Sequence, residues 1–196
     1  MLRQTKNTED VWRQGFKVFN KFMLFMWRLG WGPWVNYFPK VTGRVMVITH
    51  TGRKTGKQRR TPVNYAIVDG DLYCTAGYGS GSDWYRNIIT NPQVEIWLPD
   101  SWWAGVVEEV ANPQQRLVYL RQILLNSGLV APIAGLNPQK MTDSELEKAT
   151  TFYRVLRIRR TAARTGPGGP GDLVLIWSIL VMILLPLAFR RRKWNK

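Results

Sequence analysis

The sequence predicts an α+β fold built on a barrel-like antiparallel sheet with peripheral helices. Five short segments rich in β-branched and aromatic residues, at 45–50, 62–68, 72–76, 94–98 and 102–110, are separated by turn signals, and an alternating stretch at 153–159 closes the series. Only a few helical patterns accompany these strands, which suits an antiparallel sheet with helices against it. An apolar fraction of 45% with 12% aromatics over 196 residues supplies the core for one packed domain.

Taken in chain order, 11–31 reads as an amphipathic helix within an N-terminal unit at 1–38. Arg13, Lys17, Lys21 and Arg28 share one face, and Phe16, Phe19, Phe22, Phe25 and Trp27 crowd the rest. Gly30, Gly32 and Pro33 end it. Such a helix clamps the core, lies in a membrane interface with Trp31 and Trp34 at headgroup level, or does both by bridging the core and the bilayer. The barrel domain spans 40–162. Within it, Asp69-Gly70-Asp71 is a hairpin turn, Ser82 is a cap for a short helix over 83–88, and Asn91-Pro92 stops that helix. Pro99-Asp100-Ser101 turns between two strands, 113–126 is helical by periodicity, and Thr142 with Glu145 forms a capping-box pattern.

Gly166-Pro167-Gly168-Gly169-Pro170-Gly171 marks a linker at 163–172. The stretch 173–189 then runs without a charge, about 25 Å long as a helix against a hydrocarbon core of about 30 Å, and a basic tail at 190–196 follows. This predicts a hydrophobic C-terminal membrane helix, spanning or inserted partway, with membrane lipids as partners and the main domain on the cytoplasmic side. The formal net charge of +15 is partly a tail property, because Arg157 to Lys196 hold nine basic residues against one acid, Asp172. Nucleic acid is not expected as a partner, since the aromatics do not interleave with the basic loop. Cys74 and His50 are the only cysteine and histidine, which excludes an intrachain disulfide and leaves no basis for a metal site. Both are expected to pack within strands rather than form a nucleophilic pair.

The segment THTGRKTGKQRRTP, residues 49–62, concentrates function. Arg53, Lys54, Lys57, Arg59 and Arg60 supply charged donors, Gly52 and Gly56 let backbone approach, and Thr51 and Thr55 add hydroxyls. It is no Walker loop: it is one residue short, Gln58 stands where a magnesium-binding hydroxyl belongs, and a strand follows instead of a helix. A hairpin presenting cations to an anionic ligand is the chemistry these residues support.

That segment, Gly77-Tyr78-Gly79, Asp83-Trp84-Tyr85-Arg86-Asn87 and Asn91-Pro92 together resemble the deazaflavin-dependent nitroreductase family over about residues 40–110. The resemblance implies a split β-barrel of the FMN-binding, PNPOx-like type and coenzyme F-420, with hydride transfer to a hydrophobic acceptor such as a quinone, enone or nitro compound. It places Arg53, Lys54 and Thr55 at the cofactor's acidic tail, and Arg59, Arg60, Thr61, Pro62 and Val63 at its phosphate and ring edge. Ala76, Gly77, Tyr78 and Gly79, with Trp84, Tyr85 and Asn87, complete the implied pocket. Tyr78, Tyr85 and Tyr153 are the candidate proton donors. His50 stands where the family usually has threonine, and the chain between Gly77 and Trp84 is shorter than in the best-known members. Two alternatives share the fold: an FMN-dependent oxidoreductase, and a non-enzymatic carrier of a lipid or another hydrophobic ligand.

Overall fold

The computed structural model describes residues 14–15 and 18–192, and its centre is a closed six-stranded antiparallel barrel in the order β1-β2-β3-β6-β5-β4. The strands are β1 Val45–Thr51, β2 Gln58–Val68, β3 Asp71–Ala76, β4 Gln93–Trp97, β5 Trp102–Glu109 and β6 Arg154–Ala163. All six expected strands form, and closure leaves the sheet without open edges.

Strand alternation sorts the core into three parts. Met46, Ile48, Tyr65, Leu72, Cys74, Ile96, Leu156 and Ile158 point inward and fill the barrel. Val45, Val47 and Trp97 point outward beneath the N-terminal helix α1, residues 18–28, which buries Met23 and Trp27 on them. Ala66, Tyr73 and Val155 point outward on another side. They are covered by α5 Pro113–Leu125, α6 Val130–Ile133 and α7 Asp143–Ala149. Two four-residue helices, α2 Gly32–Val35 and α3 Pro39–Thr42, lead into β1. A 3-10 turn, Gly79–Gly81, precedes α4 Asp83–Thr90, whose Tyr85 and Ile88 join the barrel core.

Local chemistry sets the helix ends. The capping box of α7 forms as expected, with Thr142 Oγ1 accepting from the Glu145 amide and Glu145 Oε2 accepting from the Thr142 amide. Asn112 caps α5 ahead of Pro113. Ser82 does occupy the N-cap of α4, but its side chain makes no capping bond.

Two strands run further than the sequence indicated. β2 begins at Gln58 rather than Pro62 because its polar first residues pair with β1, Thr51 opposite Gln58 and Thr49 opposite Arg60. Pro62 is tolerated because pairing with β3 starts only at Tyr65, so β2 has one neighbour there and loses no ladder bond on its free side. β6 continues to Ala163 across a bulge at Ala104/Gly105, so the linker starts inside a strand.

That linker is not detached. The Arg164 amide donates to Trp102 O, Gly169 lies flat on the Trp102 ring, and the Gly171 amide donates to Trp27 O. The Leu173 amide then donates to Arg28 O, and Arg28 pairs with Asp172 at 2.9 Å. These bonds hold Leu173 and Val174 out of the last helix, α8, which runs Leu175–Arg192. Its charge-free part is therefore only about 22 Å long before Arg190. Among the described residues no helix is long and apolar enough to cross a membrane, which corrects the expectation of a spanning helix. Of the basic residues assigned to the N-terminal helix, Arg13 and Lys17 lie outside the described residues, as does the tail beyond Arg192.

Candidate cofactor cleft

The β1–β2 hairpin closes through the Gly52 amide on Lys57 O, with the Thr55 and Gly56 amides on Gly52 O. Gly56 sits at φ +64, a left-handed position that glycine fills without strain. The hairpin leans over the start of α4, and between them lies a cleft of about 380 Å³ lined by His50, Gly52, Arg53, Lys54, Thr55, Arg59, Arg60, Thr61, Asp83, Trp84 and Asn87.

The five loop cations divide into two groups. Arg53 is a structural strut: its Nη1 donates to Asn87 Oδ1 at 2.9 Å, its amide donates to the same oxygen at 3.1 Å, and its Nη2 pairs with Asp83 at 3.0 Å. Arg53 holds the Asp83 carboxyl below the usual carboxylate range, chiefly through that hydrogen bond. Arg60 edges the cleft, but its guanidinium donates to Gly168 O at 2.9 Å and lies 4.4 Å over the Trp97 ring, so it holds the linker. Among the described residues, no hydrogen bond or ion pair engages the side chains of Lys54, Lys57 or Arg59. Of these three, Lys54 and Arg59 line the cleft.

The floor is a buried polar chain. Asn87 and His50 are 3% and 2% exposed, so their bonds cannot be replaced by water. Asn87 Nδ2 lies 3.4 Å from His50 Nδ1, and His50 Nε2 lies 3.1 Å from Thr61 Oγ1. Burial, aided by the Arg59 charge, pushes the His50 pKa down to about 4, so the ring is neutral near pH 7. An unfolded histidine binds its proton near pH 6.5, so the unfolded state holds more protons between about pH 4 and 6.5. The contribution of His50 to stability is therefore fully present above about pH 6.5 and is lost as the pH falls towards about 4. Urea unfolding across this range measures the loss, and His50→Gln, which does not titrate, should flatten it.

The other sequence-predicted site residues lie off the cleft lining. Val63 packs on the barrel core, and Pro62 alternates away from Thr61 and Val63. Ala76 ends β3 inside the barrel. Gly77 lies against the Tyr153 ring, and a side chain at Gly79 would strike the Phe152 carbonyl. The Tyr85 hydroxyl donates to Glu109 at 2.6 Å, and burial together with that carboxylate pushes its pKa up to about 12. Burial also raises Tyr153, with neighbouring Tyr78 adding to the effect, while Tyr78 itself is half exposed. Cys74 is buried in the barrel, its thiol pushed up to about 12 by burial, and it forms no pair with His50. The lining adds two residues that sequence reasoning left out of the site, His50 and Asp83. The period-2 pattern of β1 places His50 inward with Met46 and Ile48, which was the available signal.

Free cations beside a polar cleft on a closed barrel make a site for an anionic ligand. The chain matches the F420H(2)-dependent quinone reductase family over residues 26–129, and it belongs to that family. It is a deazaflavin-dependent reductase whose cofactor is coenzyme F-420, and the FMN and non-enzymatic carrier readings give way. Among solved structures, a conserved hypothetical protein from Mycobacterium tuberculosis is 18% identical with a TM-score of 0.46, over 63% of this chain and 76% of that one. An F420-H2 dependent reductase is 17% identical with a TM-score of 0.42, over 59% and 94%. The haem storage protein HutZ from Vibrio cholerae is 12% identical with a TM-score of 0.45, over 71% and 96%.

The residues present fit the anionic part of that cofactor. Lys54 and Arg59 offer charged donors that no described residue engages, and Gly52, which lines the cleft, has little room for a side chain because a Cβ there would stand 3.1 Å from both Arg59 Nε and Thr55 Oγ1.

Proposed function

We propose that this cleft binds coenzyme F-420 and that the protein reduces a quinone drawn from a membrane surface. The observation that carries the reading is the division of the loop cations, which leaves Lys54 and Arg59 free at the cleft while Arg53 and Arg60 brace the fold. Lys54 and Arg59 hold the acidic tail and phosphate, and Trp84 on α4 forms an apolar wall. When bound, the cofactor supplies a hydride, so the chain is asked chiefly to bind, orient and exclude water. Tyr78, Tyr85 and Tyr153 are the candidate donors to the reduced acceptor, and the Tyr85 hydroxyl already donates to Glu109.

The membrane part of the reading rests on an uncovered apolar platform. α1 presents Phe19, Phe22 and Phe25 to solvent on the side opposite buried Trp27. The described α8 side chains through Pro186 are exposed all round. The two helices are joined: Trp31 stacks on Trp177 at 5.8 Å, Trp177 Nε1 donates to Leu29 O at 3.1 Å, and Arg28 pairs with Asp172. Trp34, Tyr37 and Phe38 extend the aromatic rim. An apolar surface of this kind suits the headgroup region, with α8 lying along the interface on the cytoplasmic side. Trp27 and Trp97 pack between this platform and Arg60 at the cleft edge, so platform and cleft are one packed unit.

Vesicle sedimentation tests the platform. The full chain should pellet with vesicles containing anionic lipid and stay bound in high salt, whereas a chain ending after Asp172, which keeps the Arg164 and Gly171 amide bonds and the Arg28–Asp172 pair, should be released. A full-length chain that remains in the supernatant would remove the membrane from the reading. An acceptor panel of quinone, enone and nitro compounds with reduced F-420 tests the substrate, the quinone being the fastest; preference for a nitro compound would redirect it.

A further inference from the structure

His50 is among the most buried polar groups of the described residues and lies beneath the cleft. Its neighbours fix its hydrogen-bond polarity. Asn87 Oδ1 accepts twice from Arg53, from the amide and from Nη1, so the amide nitrogen of Asn87 must be the atom that faces His50 Nδ1. An NH2 group only donates, so Nδ1 is an acceptor and carries no proton. The ring proton of neutral His50 then sits on Nε2, which donates to Thr61 Oγ1. With that lone pair occupied, the Thr61 hydroxyl proton is directed elsewhere. Thr61 lines the cleft, and among the described residues no acceptor takes its proton.

We infer that His50 is a positioning residue that orients the Thr61 hydroxyl as a hydrogen-bond donor into the cofactor cleft, through a directed chain running from Arg53 to Asn87 to His50 to Thr61. The ligand group it takes is an acceptor, a carbonyl or phosphate oxygen of the bound cofactor. Each link is set by the one before it. Arg53 cannot accept, so the Asn87 amide has one orientation, the imidazole one tautomer, and the hydroxyl one role. The chain also links the cationic hairpin to the cleft floor, because Arg53 belongs to the hairpin and Thr61 to the strand that leaves it. This inference rests on the reading that F-420 occupies the cleft, and Lys54→Ala serves to separate the two.

Because His50 is the only histidine, a full chain labelled with 15N-histidine gives a single imidazole, and its two nitrogens report the tautomer directly. The expected spectrum at pH 7 has a proton on Nε2 and a bare Nδ1. Thr61→Val should shift the Nε2 resonance, and addition of oxidised F-420 should shift it in the wild type but not in Thr61→Val. In cofactor fluorescence titrations, Thr61→Val should weaken F-420 binding about tenfold, the loss expected of one good hydrogen bond, and Thr61→Ser should keep it. His50→Gln should weaken it to a similar extent, and adding His50→Gln to Thr61→Val should cost little more, because both act through one hydroxyl. A proton on Nδ1, or losses that multiply in the double variant, would overturn the inference. So would wild-type binding by Thr61→Val while Lys54→Ala is weakened. If Lys54→Ala also binds as wild type, the cleft is not the cofactor site and both readings fall.

Discussion

Replacing Lys54 and Arg59 together by alanine should raise the dissociation constant for oxidised F-420 about a hundredfold. Each side chain lines the cleft and, among the described residues, has no hydrogen bond or ion pair, so removing it deletes a charge-assisted contact to the ligand without leaving a buried group unpaired. A single charge-assisted contact is worth about 1.4 kcal/mol or more, tenfold in affinity, and two cations acting on separate anionic groups should add. Thermal stability should stay close to wild type, since neither residue braces the fold. Arg60→Ala is the informative contrast. Its guanidinium serves Gly168 O and the Trp97 ring, so affinity should change little while the linker loosens. Cofactor fluorescence measures the affinities. A double variant that binds as wild type, or an Arg60→Ala as defective as Lys54→Ala, would contradict the assignment of the two groups of cations.

Asn87→Ala should destabilise the fold by about 4 kcal/mol and disable the cleft at the same time. Asn87 is buried, accepts from the Arg53 guanidinium and amide, and donates to His50. Loss of a bond to a charged group costs about 1.5–3 kcal/mol, and the stranded Arg53 amide and His50 Nδ1 each add a desolvation cost on the order of 1 kcal/mol. Arg53 keeps Asp83, so its charge is not left unpaired. Urea denaturation should show a lower midpoint with the same slope, because the surface exposed on unfolding is unchanged. Asn87→Asp should recover part of the Arg53 bonds but not the donation to His50, and so should be intermediate.

Much of the barrel was legible because it is written locally. β1 and β4 announce themselves by β-branched residues between turn signals, β3 by the Asp69-Gly70-Asp71 turn before it, and the Thr142 capping box by two side chains three residues apart. The cationic hairpin was legible by composition. What could not be read is what depends on register and on partners far along the chain. Which of Arg59 and Arg60 turns to the linker and Trp97 depends on a single-residue choice in β2, and that choice is fixed only by pairing His50 with Arg59 and Thr49 with Arg60. The polar start of β2 looked like loop because its strand character comes from β1, not from its own propensity. Arg53 was assigned to the ligand, yet its partner Asn87 lies 34 residues on, and nothing local discloses that bond. The last helix is shorter than its apolar run because the carbonyls of Trp27 and Arg28, near the other end of the chain, hold the residues that precede it.

The central claim joins cofactor, cleft and membrane, and one measurement engages all three. Full-length protein is mixed anaerobically with reduced F-420 and vesicles containing a long-chain quinone, and cofactor oxidation is followed by the return of its fluorescence. The chain ending after Asp172 is run beside it, and a short-chain water-soluble quinone is the second acceptor. The account predicts that the full chain oxidises the cofactor with either quinone, whereas the shortened chain works only with the soluble one. Failure of the full chain to oxidise reduced F-420 with either quinone, or equal rates for both chains on the embedded quinone, would contradict it.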